Sequence, residues 1–390
     1  MVYQTALRKI MNILVASRGI PSKRDPQWGS FEFDQAKALA SMGHHVTVVA
    51  VDTRFRFYWR KIGLTARVQD GIQTYNLFYC PAAVLGLLGR RFRESVIRWQ
   101  WNKLARIVAE EKHPVDIIYA HYLFNAYYAV QCFQEFNAPV VGMEHWSELN
   151  REPMKRNVIR MAEYTYPRLA HLLAVSEPLK ARIKEKFGIQ ATVVHNMIGK
   201  DYRYAPDKQP RPFTFISVGS LRKMKGFDSL LNAFAQTRLP KDKWRLTIVG
   251  DGSEAPHLRR LIHSLQLQEN VMLVGQKNAK EINALLNRSD VFVLASRSET
   301  FGVVYIEAMS CRLPVIATEC GGPADFVTKQ NGLLVPVDDV KGLAHCIEHM
   351  YTHYQEYDRQ AIAKDCQARF SAEVIARQLT DIFEHITNTQ

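Results

Sequence analysis

The sequence predicts an α/β protein built from two doubly wound, parallel-sheet domains. The chain has 390 residues, whereas a single hydrophobic core rarely extends beyond about 250–300 residues. Apolar residues make up 47% and charged residues 23% of the chain, which is typical of globular proteins. Short, continuously apolar runs alternate with helical segments on both sides of a proline-rich stretch, as in parallel sheets covered by helices on both faces.

The first domain is predicted over residues 1–205. Six apolar runs predict strands, and five segments between them have helical periodicity. The predicted strands are Asn12–Ala16, Val46–Ala50, Asp116–Tyr119, Pro139–Met143, His171–Val175 and Thr192–Val194. The predicted helices are Phe31–Met42, Glu94–Glu111, Asn125–Phe136, Pro153–Tyr166 and Glu177–Phe187.

A linker is predicted at Asp201–Pro212, which is polar and contains three prolines. The second domain is then predicted over residues 211–370, with a C-terminal helix over 371–390 that can return to the first domain. We expect a ligand in a cleft at the carboxyl ends of the strands. The alternating segments of the second domain are Phe213–Val218, Phe227–Thr237, Trp244–Val249, Ala255–Leu265, Val271–Val274, Glu281–Leu286, Val291–Leu294, Val303–Ser310 and Pro314–Ala317.

The positive charge of the chain is concentrated in its first half. Residues 1–210 contain 30 Lys and Arg against 18 Asp and Glu, whereas residues 211–390 contain 21 against 20. A one-sided field of this kind favours anionic partners such as acidic lipids, phosphorylated substrates or nucleic acid. The alternative is a basic surface that serves only solubility.

The cellular compartment is predicted from three features. The longest apolar run, Ala82–Leu88, is far shorter than the roughly 18–20 residues of a membrane span. The apolar run Ile10–Ala16 has no small-residue cleavage site after it, so it predicts a strand rather than a signal peptide. The six cysteines form no CxxC pair and no metal-ligand spacing, so we expect them to be reduced. These features favour a cytoplasmic protein.

Two glutamates mark the most specific motif of the second domain. Glu299 and Glu307 are eight residues apart in SETFGVVYIEA, after an apolar strand. The Phe301-Gly302 turn between them predicts that Glu299 lies in a loop and Glu307 in the following helix. A glycine turn before a helix presents free N–H groups that suit phosphate or sugar oxygens. Two solvated surface glutamates are the alternative interpretation.

A cluster of cations follows the first strand of the second domain. The strand ends at Gly219, and Arg222, Lys223 and Lys225 precede a second glycine and a helix. Clustered cations at a strand end can stabilise a departing diphosphate. An exposed basic turn without function is the alternative.

In the first domain, four residues stand at positions that suit a ligand. The segment QWGS, which contains Gly29 and precedes the first helix, is typical of an anion-binding turn, although the chain lacks GxGxxG there. His121 and His145 follow strand ends, so we expect both at the same edge of the sheet. Asn196 follows another strand and is expected to line the cleft. A lone histidine, by contrast, is more often structural.

With these motifs the chain resembles the retaining glycosyltransferases of family 4, glycosyl transferases group 1. The resemblance covers nearly the whole chain and implies the GT-B fold, in which two Rossmann-like domains face a cleft. Glu299 and Glu307 match the family's E-x7-E motif, which implies that Glu299 contacts the donor sugar and Glu307 the donor ribose. The backbone that would help hold the sugar and the diphosphate is that of Thr300, Phe301, Gly302 and Val303.

Other positions match the family with one departure. Lys225 matches the lysine of the family's G-R-L…K-G motif, which begins at Gly219, but the family's arginine is replaced by Ser220. Arg222 or Lys223 can supply the missing charge. His121 matches the second histidine of the family's H-x-H segment.

Two further matches lie in the first domain: His145 corresponds to a later V-x-H position, and Gly29 to the glycine-rich donor loop. The implied reaction transfers a sugar from a nucleotide-diphosphate donor, a UDP-sugar more than a GDP-sugar, with retention and with neither a metal nor a cofactor.

The acceptor is predicted from segments that mix cations with aromatic residues. These segments are Arg54–Lys61 and Arg90–Trp101. Such a composition suits an anionic membrane surface. It also suits single-stranded nucleic acid, which the donor motifs disfavour, and core packing is a third interpretation. We therefore expect no nucleic-acid partner, but a peripheral enzyme on the inner face of the cell membrane.

The acceptor of such an enzyme would be a lipid-linked or glycan acceptor in cell-surface polysaccharide biosynthesis, for example of lipopolysaccharide or capsule. Alternatives are a GT-B nucleotide-sugar 2-epimerase, which would need no basic aromatic surface, and a non-catalytic sugar- or lipid-binding protein. The intact set of Glu299, Glu307 and Lys225 disfavours a non-catalytic protein. The lack of GxGxxG disfavours a dehydrogenase.

Overall fold

The computed structural model describes residues 9–56, 60–205 and 211–389. The chain divides into two compact α/β units. Unit 1 contains the described residues up to Val175, Lys180–His195 and the chain from Ala372 onwards. Unit 2 contains Ser176–Leu179 and Asn196–Ser371.

Unit 1 is built on an eight-stranded sheet with the order β3-β4-β2-β1-β5-β6-β7-β8. Every neighbouring pair is parallel except β3 and β4. The central strands β1 and β5 are mostly apolar and almost entirely buried, as expected for a sheet covered on both faces. The strands are β1 Asn12–Ser17, β2 His45–Val51, β3 Gly63–Gln69, β4 Ile72–Phe78, β5 Ile117–His121, β6 Val140–Glu144, β7 His171–Ala174 and β8 Thr192–Val193.

Helices connect these strands and cover the sheet. Their buried faces contribute Trp101, Leu104 and Tyr128 to one hydrophobic cluster with the strands. The helices are α1 Ser30–Ser41, α2 Ala82–Gly86, α3 Arg90–Glu110, α4 Tyr122–Cys132, α5 Arg156–Thr165 and α6 Glu177–Phe187.

The hairpin of β3 and β4 is missing from the sequence-based prediction. β3 is an edge strand without a buried residue, and it contains Thr65, Arg67 and Gln69, so it lacks the continuous apolar run of the other strands. Its turn is Asp70-Gly71, with φ values of 50° and 79°. An Asp-Gly pair with two positive φ values is a strong hairpin signal, and it could have revealed both strands.

Unit 2 is built on a six-stranded, wholly parallel sheet with the order β11-β10-β9-β12-β13-β14. Its strands are β9 Phe213–Val218, β10 Trp244–Val249, β11 Val271–Leu273, β12 Val291–Leu294, β13 Val315–Thr318 and β14 Gly332–Val335. Its helices are α7 Phe227–Gln236, α8 Ala255–Ser264, α9 Ala279–Asn287, α10 Val303–Ser310, α11 Val340–His353 and α12 Arg359–Phe370. The two-domain α/β prediction is confirmed.

The last helix of the chain, α13 (Ala372–Asn388), belongs to unit 1. It packs on α1, and the Phe383 ring meets Tyr119 of β5 edge-on at 5.2 Å. Thr380 and His44, both buried, share a hydrogen bond of 2.9 Å between Oγ1 and Nε2. The helix therefore completes the core of unit 1.

The boundary expected after residue 205 differs from the observed division. Residues 196–205 belong to unit 2 rather than to the first unit. The Ile198 amide donates to the Phe370 carbonyl at 2.9 Å, and the Tyr202 hydroxyl hydrogen-bonds to Glu307. These contacts attach the segment to unit 2 before the proline-rich stretch, of which Pro206 and Pro210 lie outside the described residues.

Three further findings concern predictions made from composition. All six cysteines lie in the described ranges and carry free thiols. Within those ranges no helix has both the length and the apolar character needed to cross a bilayer. The same residues contain no group of three or more His, Cys, Asp or Glu that could hold a metal ion.

Candidate active site

The central contact of unit 2 joins Lys225 to Glu299. The Lys225 Nζ lies 2.5 Å from the Glu299 Oε1, which also accepts a hydrogen bond of 2.7 Å from the Ser296 Oγ. Lys225 lies in the turn after β9 and Glu299 in the loop after β12, two neighbouring strands whose carboxyl ends meet at one sheet edge. Open parallel sheets bind their ligands at this edge.

Glycine allows the Lys225 turn to approach β12. Gly226 has φ of 62°, and a Cβ at this position would lie 1.8 Å from the Ala295 carbonyl oxygen. Arg297 then braces the turn by donating to the Lys223 carbonyl, while it also pairs with Asp228 at 2.9 Å. Hydrogen bonding to Asp228 raises the pKa of Arg297 despite partial burial. The turn that carries Lys225 is thus held in place by the hydrogen bond and the ion pair of Arg297.

The loop that carries Glu299 is held by backbone hydrogen bonds. The Glu299 amide donates to the Cys320 carbonyl at 3.0 Å, and the Glu299 carbonyl accepts from Gly322 at 3.1 Å. Gly302, with φ of 95°, then caps α10, which begins at Val303. The first N–H groups of an α-helix have no intrahelical acceptor, so this turn offers donors for an anion.

Phe301, between the two glutamates, has a buried side chain. Phe301 is 1% exposed, and its ring packs 5.1 Å from Phe326 and 5.8 Å from Phe370. The Thr300 carbonyl already accepts a hydrogen bond of 2.6 Å from Ser176. That the backbone of this segment helps to hold the donor stays a prediction.

Glu307 lies in α10, as its position in the motif predicts. Its carboxylate accepts a hydrogen bond from the Tyr202 hydroxyl, and burial together with this carboxylate raises the pKa of Tyr202. Gly199 lies beside Glu307, since a Cβ there would be 3.6 Å from Oε1. Tyr202 is thus a neighbour of Glu307, the residue predicted to contact the donor ribose. The sequence analysis did not indicate this contact.

Four other predicted residues of unit 2 have simpler surroundings. Arg222 is exposed, and its guanidinium has no carboxylate partner among the described residues. Gly219 ends β9 and donates to the Val249 carbonyl at 3.0 Å, and Ser220 accepts from the Arg222 amide at 2.7 Å. Asn196 is buried, with 8% exposure, at the start of the long segment of unit 2.

In unit 1, Gly29 forms a tight turn at the start of α1. It has φ of 75°, and a Cβ would lie 2.0 Å from the Gly19 carbonyl oxygen. The Trp28 indole beside it donates to the Arg18 carbonyl at 2.9 Å. Arg18 in turn pairs at 2.7 Å with Glu32, which is completely buried in α1. The turn after β1 is therefore fixed to the helix that follows.

The structure brings His121 and His145 together. The Nδ1 of His121 lies 3.0 Å from the Nε2 of His145, and the rings stack at 5.3 Å. Burial, with a smaller contribution from Arg18, lowers the pKa of His121 to about 3. The Nε2 of His121 is buried and has no hydrogen-bond partner among the described residues. His121 therefore has a neutral ring with one nitrogen that makes no hydrogen bond to the described residues.

Glu144 is a buried residue of this site that the sequence analysis missed. Its Oε1 accepts hydrogen bonds from the backbone amides of Leu123, His145 and Trp146, and its Oε2 accepts from the Tyr166 hydroxyl at 2.8 Å. Burial raises its pKa to about 7, although these hydrogen bonds favour the ionised form. Only its place at the end of β6, next to His145, could have indicated it.

The Arg54–Lys61 segment is not the free basic surface that its composition predicts. Arg54, Arg56 and Arg60 all form ion pairs with Asp52, and the first two also pair with Asp25. The aromatic residues Phe57, Tyr58 and Trp59 lie outside the described residues.

The second segment is only partly exposed. Trp101 is completely buried against Tyr128 and Phe133, so it belongs to the core rather than to an interface. Trp99 remains 49% exposed. Two strongly exposed apolar side chains, Leu87 at 85% and Leu88 at 67%, lie just before α3.

Two family models together span most of the chain. The model described as Glycosyltransferase Family 4 matches residues 33–201, and the model described as Glycosyl transferases group 1 matches residues 200–365. The chain belongs to the group 1 glycosyltransferases of family 4. It is therefore a glycosyltransferase enzyme, as predicted, and has the GT-B fold.

Related proteins extend over the full length of this glycosyltransferase. The Bacillus subtilis protein TuaC, named for teichuronic acid biosynthesis, is 26% identical over 411 residues, covering 97% of this chain and all of the relative.

Solved structures share the fold at low sequence identity. Sucrose-phosphate synthase from Thermosynechococcus elongatus has a TM-score of 0.78 at 19% identity, covering 97% of this chain and all of the other. Anabaena HepE in complex with UDP has a TM-score of 0.71 at 19% identity, covering 96% and 100%. Both proteins thus share the fold of this chain.

Proposed function

We propose that this enzyme transfers a sugar, with retention and without a metal, from a UDP-sugar to a lipid-linked or glycan acceptor in cell-surface polysaccharide biosynthesis. The contact between Lys225 and Glu299 carries the donor part of the proposal. A cation and a carboxylate at the same strand edge can respectively hold a diphosphate and the hydroxyls of a sugar. HepE, which has the same fold, was solved with UDP.

In this mechanism Lys225 stabilises the departing diphosphate, because charge develops on the leaving oxygen as the sugar bond breaks. Arg222 lies at the start of the same turn and adds a second cation. The N–H groups at the start of α10 offer further donors. Glu299 orients the donor sugar, and Glu307 accepts hydrogen bonds from the ribose. These positive groups take the place of a metal ion.

The acceptor side of the reaction is assigned to unit 1. In unit 1, the Nε2 of His121 has no hydrogen-bond partner among the described residues, and we assign it to interaction with the acceptor. His145 fixes the orientation of the His121 ring. Polysaccharide biosynthesis is supported by TuaC, which aligns over its full length. A peripheral position at the inner face of the membrane is supported by exposed Leu87 and Leu88 beside Arg90 and Arg91, since apolar and basic groups together suit an anionic bilayer.

A thermal-shift screen of the full-length protein tests the donor assignment. We expect UDP-glucose or another UDP-sugar to raise the melting temperature, and GDP-mannose to have a smaller effect. Stabilisation by GDP-sugars alone would reassign the nucleotide, and no shift with any nucleotide sugar would contradict the donor site. Sugar transfer should persist in EDTA, and an activity lost in EDTA and restored by Mg²⁺ or Mn²⁺ would reject the metal-independent mechanism. The anomeric configuration of the product, read by NMR, tests retention.

A further inference from the structure

A cavity in unit 1 has an excess of positive charge in its lining. Its volume is about 190 Å³, room for roughly six water molecules. Two carboxylates, of Asp25 and Asp52, face it. Five basic side chains line it, those of Arg54, Arg56, Arg60, Lys61 and Arg67. The described lining therefore carries five positive charges against two negative ones.

Three of these cations converge on one carboxylate. The Nη2 atoms of Arg54, Arg60 and Arg56 lie 3.0, 3.4 and 3.6 Å from the same Oδ2 of Asp52. Arg54 and Arg56 also pair with Asp25, so two carboxylates face three guanidinium groups that repel one another. A bound anion in the cavity would reduce that repulsion.

Two other cations at the cavity have no internal counter-charge. Among the described ranges, Lys61 and Arg67 form no ion pair with a carboxylate. Arg67 instead donates to the Pro21 carbonyl at 3.0 Å and to Gln69 at 2.6 Å, which orients its guanidinium. Arginine presents a rigid fork of donors that matches phosphate and carboxylate groups.

The rest of the lining is polar and suits hydroxyl groups. Thr65 and Asn76 face each other across the β3–β4 hairpin, and both line the cavity. The buried Oδ1 of Asn76 has no hydrogen-bond partner among the residues that the structure describes. A buried amide oxygen of this kind favours a ligand that donates a hydrogen bond, such as a sugar hydroxyl.

A series of contacts between guanidinium groups and aromatic rings connects the cavity to the histidine pair. The Arg54 guanidinium lies 3.2 Å from the centre of the Trp28 ring, and Arg18 lies 4.9 Å from the same ring. Arg18 also lies 3.9 Å from the Tyr122 ring, which is 4.9 Å from that of His145. The cavity and the histidines thus share the carboxyl edge of one sheet, where ligands of this fold class bind.

We propose that this cavity binds an anionic group, a phosphate or a carboxylate, on the sugar acceptor. The inference rests on the proposed function, because it names the acceptor class of that transferase. The cations bind the charged group, and Thr65 and Asn76 bind hydroxyls beside it. The cavity holds the charged end of an acceptor rather than a whole oligosaccharide.

Calorimetry on the full chain tests this proposal with inorganic phosphate, D-glucuronate and, as the neutral control, D-glucose. The cavity variant is Lys61→Gln/Arg67→Gln. The control variant Arg106→Gln/Lys112→Gln removes the same charge from exposed positions of unit 1 outside the cavity. Lys225→Gln removes the cation of the proposed donor site.

We expect one of the two anions to bind the parent, the control and Lys225→Gln alike, and to bind the cavity variant at least about tenfold more weakly. The phosphate and glucuronate titrations identify which anion is preferred. D-glucose should not bind measurably.

Three results would overturn the proposal. The first is that neither anion binds the parent, and the second is that only Lys225→Gln weakens binding, which would place the anion in the donor site. The third is that neither soluble anion binds, while the cavity variant alone loses the binding of the parent to phosphatidylglycerol vesicles, which would assign these cations to a membrane surface. Anion binding by the cavity in a protein that lacks sugar transfer would refute the proposed function and leave the cavity assignment intact.

Discussion

The Nδ1 of His121 lies 3.0 Å from the Nε2 of His145, so one hydrogen bond joins the last residue of β5 to the residue that follows β6. Only one of the two nitrogens can carry the shared proton, which means that the donor of the pair fixes the tautomer of its partner. Because Asn125 donates to the His121 carbonyl at 2.8 Å, the backbone at this position is held as well.

The pH dependence of stability should report the neutral state of His121. Burial lowers the pKa of His121 to about 3, against about 6.5 in an unfolded chain. The unfolded state therefore binds the extra proton between these values, and stability is lost as the pH falls from about 6.5 toward about 3. When the pH is lowered from 7.5 to 5, we expect the free energy of unfolding to fall by about 2 kcal/mol more in the parent than in His121→Asn. Parallel denaturation curves for both proteins would contradict the buried neutral ring.

Removal of the Lys225 cation should impair chemistry more than folding. We expect Lys225→Ala to lower turnover at least ~100-fold, because the leaving diphosphate loses its stabilising charge. Lys241→Ala, at an exposed lysine of the same unit, should be unaffected. Steady-state kinetics with the UDP-sugar found in the thermal-shift screen would measure both. Normal turnover in Lys225→Ala would shift the role to Arg222 or Lys223.

Loss of the Glu307 carboxylate should weaken the binding of UDP. Glu307→Ala removes an acceptor of charged hydrogen bonds, so we expect an affinity at least about tenfold lower by calorimetry. Tyr202→Phe, which removes only the hydroxyl that donates to Glu307, should have a smaller effect. Glu269→Ala is the exposed control. Equal affinities for parent and Glu307→Ala would remove Glu307 from the donor site.

The Gly29 turn should tolerate no side chain. Gly29→Ala places a Cβ 2.0 Å from the Gly19 carbonyl oxygen at φ of 75°. Gly43→Ala is a matched control, because Gly43 has φ of 96° with nothing within 4 Å of its Cβ position. The control should lose only the roughly 1–2 kcal/mol of left-handed backbone strain, whereas Gly29→Ala should lose more. Thermal denaturation compares the two, and equal losses would mean that the turn opens to admit a methyl group.

Membrane binding should depend on the residues before α3. The full-length protein should sediment with phosphatidylglycerol vesicles and not with phosphatidylcholine vesicles. Leu87→Ser/Leu88→Ser should release it, because each leucine contributes roughly 1.5–3 kcal/mol of apolar transfer, and so should Arg90→Gln/Arg91→Gln, at about 1 kcal/mol per cation. Val68→Ser, at an exposed valine of β3, is the control. Unchanged sedimentation of both double variants would reject this surface.

Strands buried on both faces could be predicted from the sequence because their apolar runs are continuous. The strands over Phe213–Val218, Trp244–Val249 and Val291–Leu294 agree with the structure residue for residue. β3 could not be found in this way, because its exposed face carries Arg67 and Gln69 and its stability comes from pairing with β4.

Only part of the candidate active site could be predicted from the sequence, because some of its contacts depend on tertiary packing. Local spacing correctly predicts a loop at Glu299 and a helix at Glu307, and their roles remain predictions. The contact of Tyr202 with Glu307, and that of Tyr166 with Glu144, join residues far apart in the chain. No local pattern encodes such contacts, since they depend on how helices pack against the sheet.

The membership of α13 in unit 1 sets an order for folding during synthesis. A ribosome delivers residues 196–371, the whole long segment of unit 2, before it makes the helix that carries Leu379 and Phe383. At about 5–20 residues per second, the interval between residues 195 and 372 lasts roughly 10–35 s. During that time the apolar surface around Tyr119 has no helix over it, so unit 2 can finish folding before unit 1, although unit 1 begins the chain. The nascent chain is therefore most prone to aggregation late in translation, when unit 1 still lacks α13, its seventeen-residue last helix.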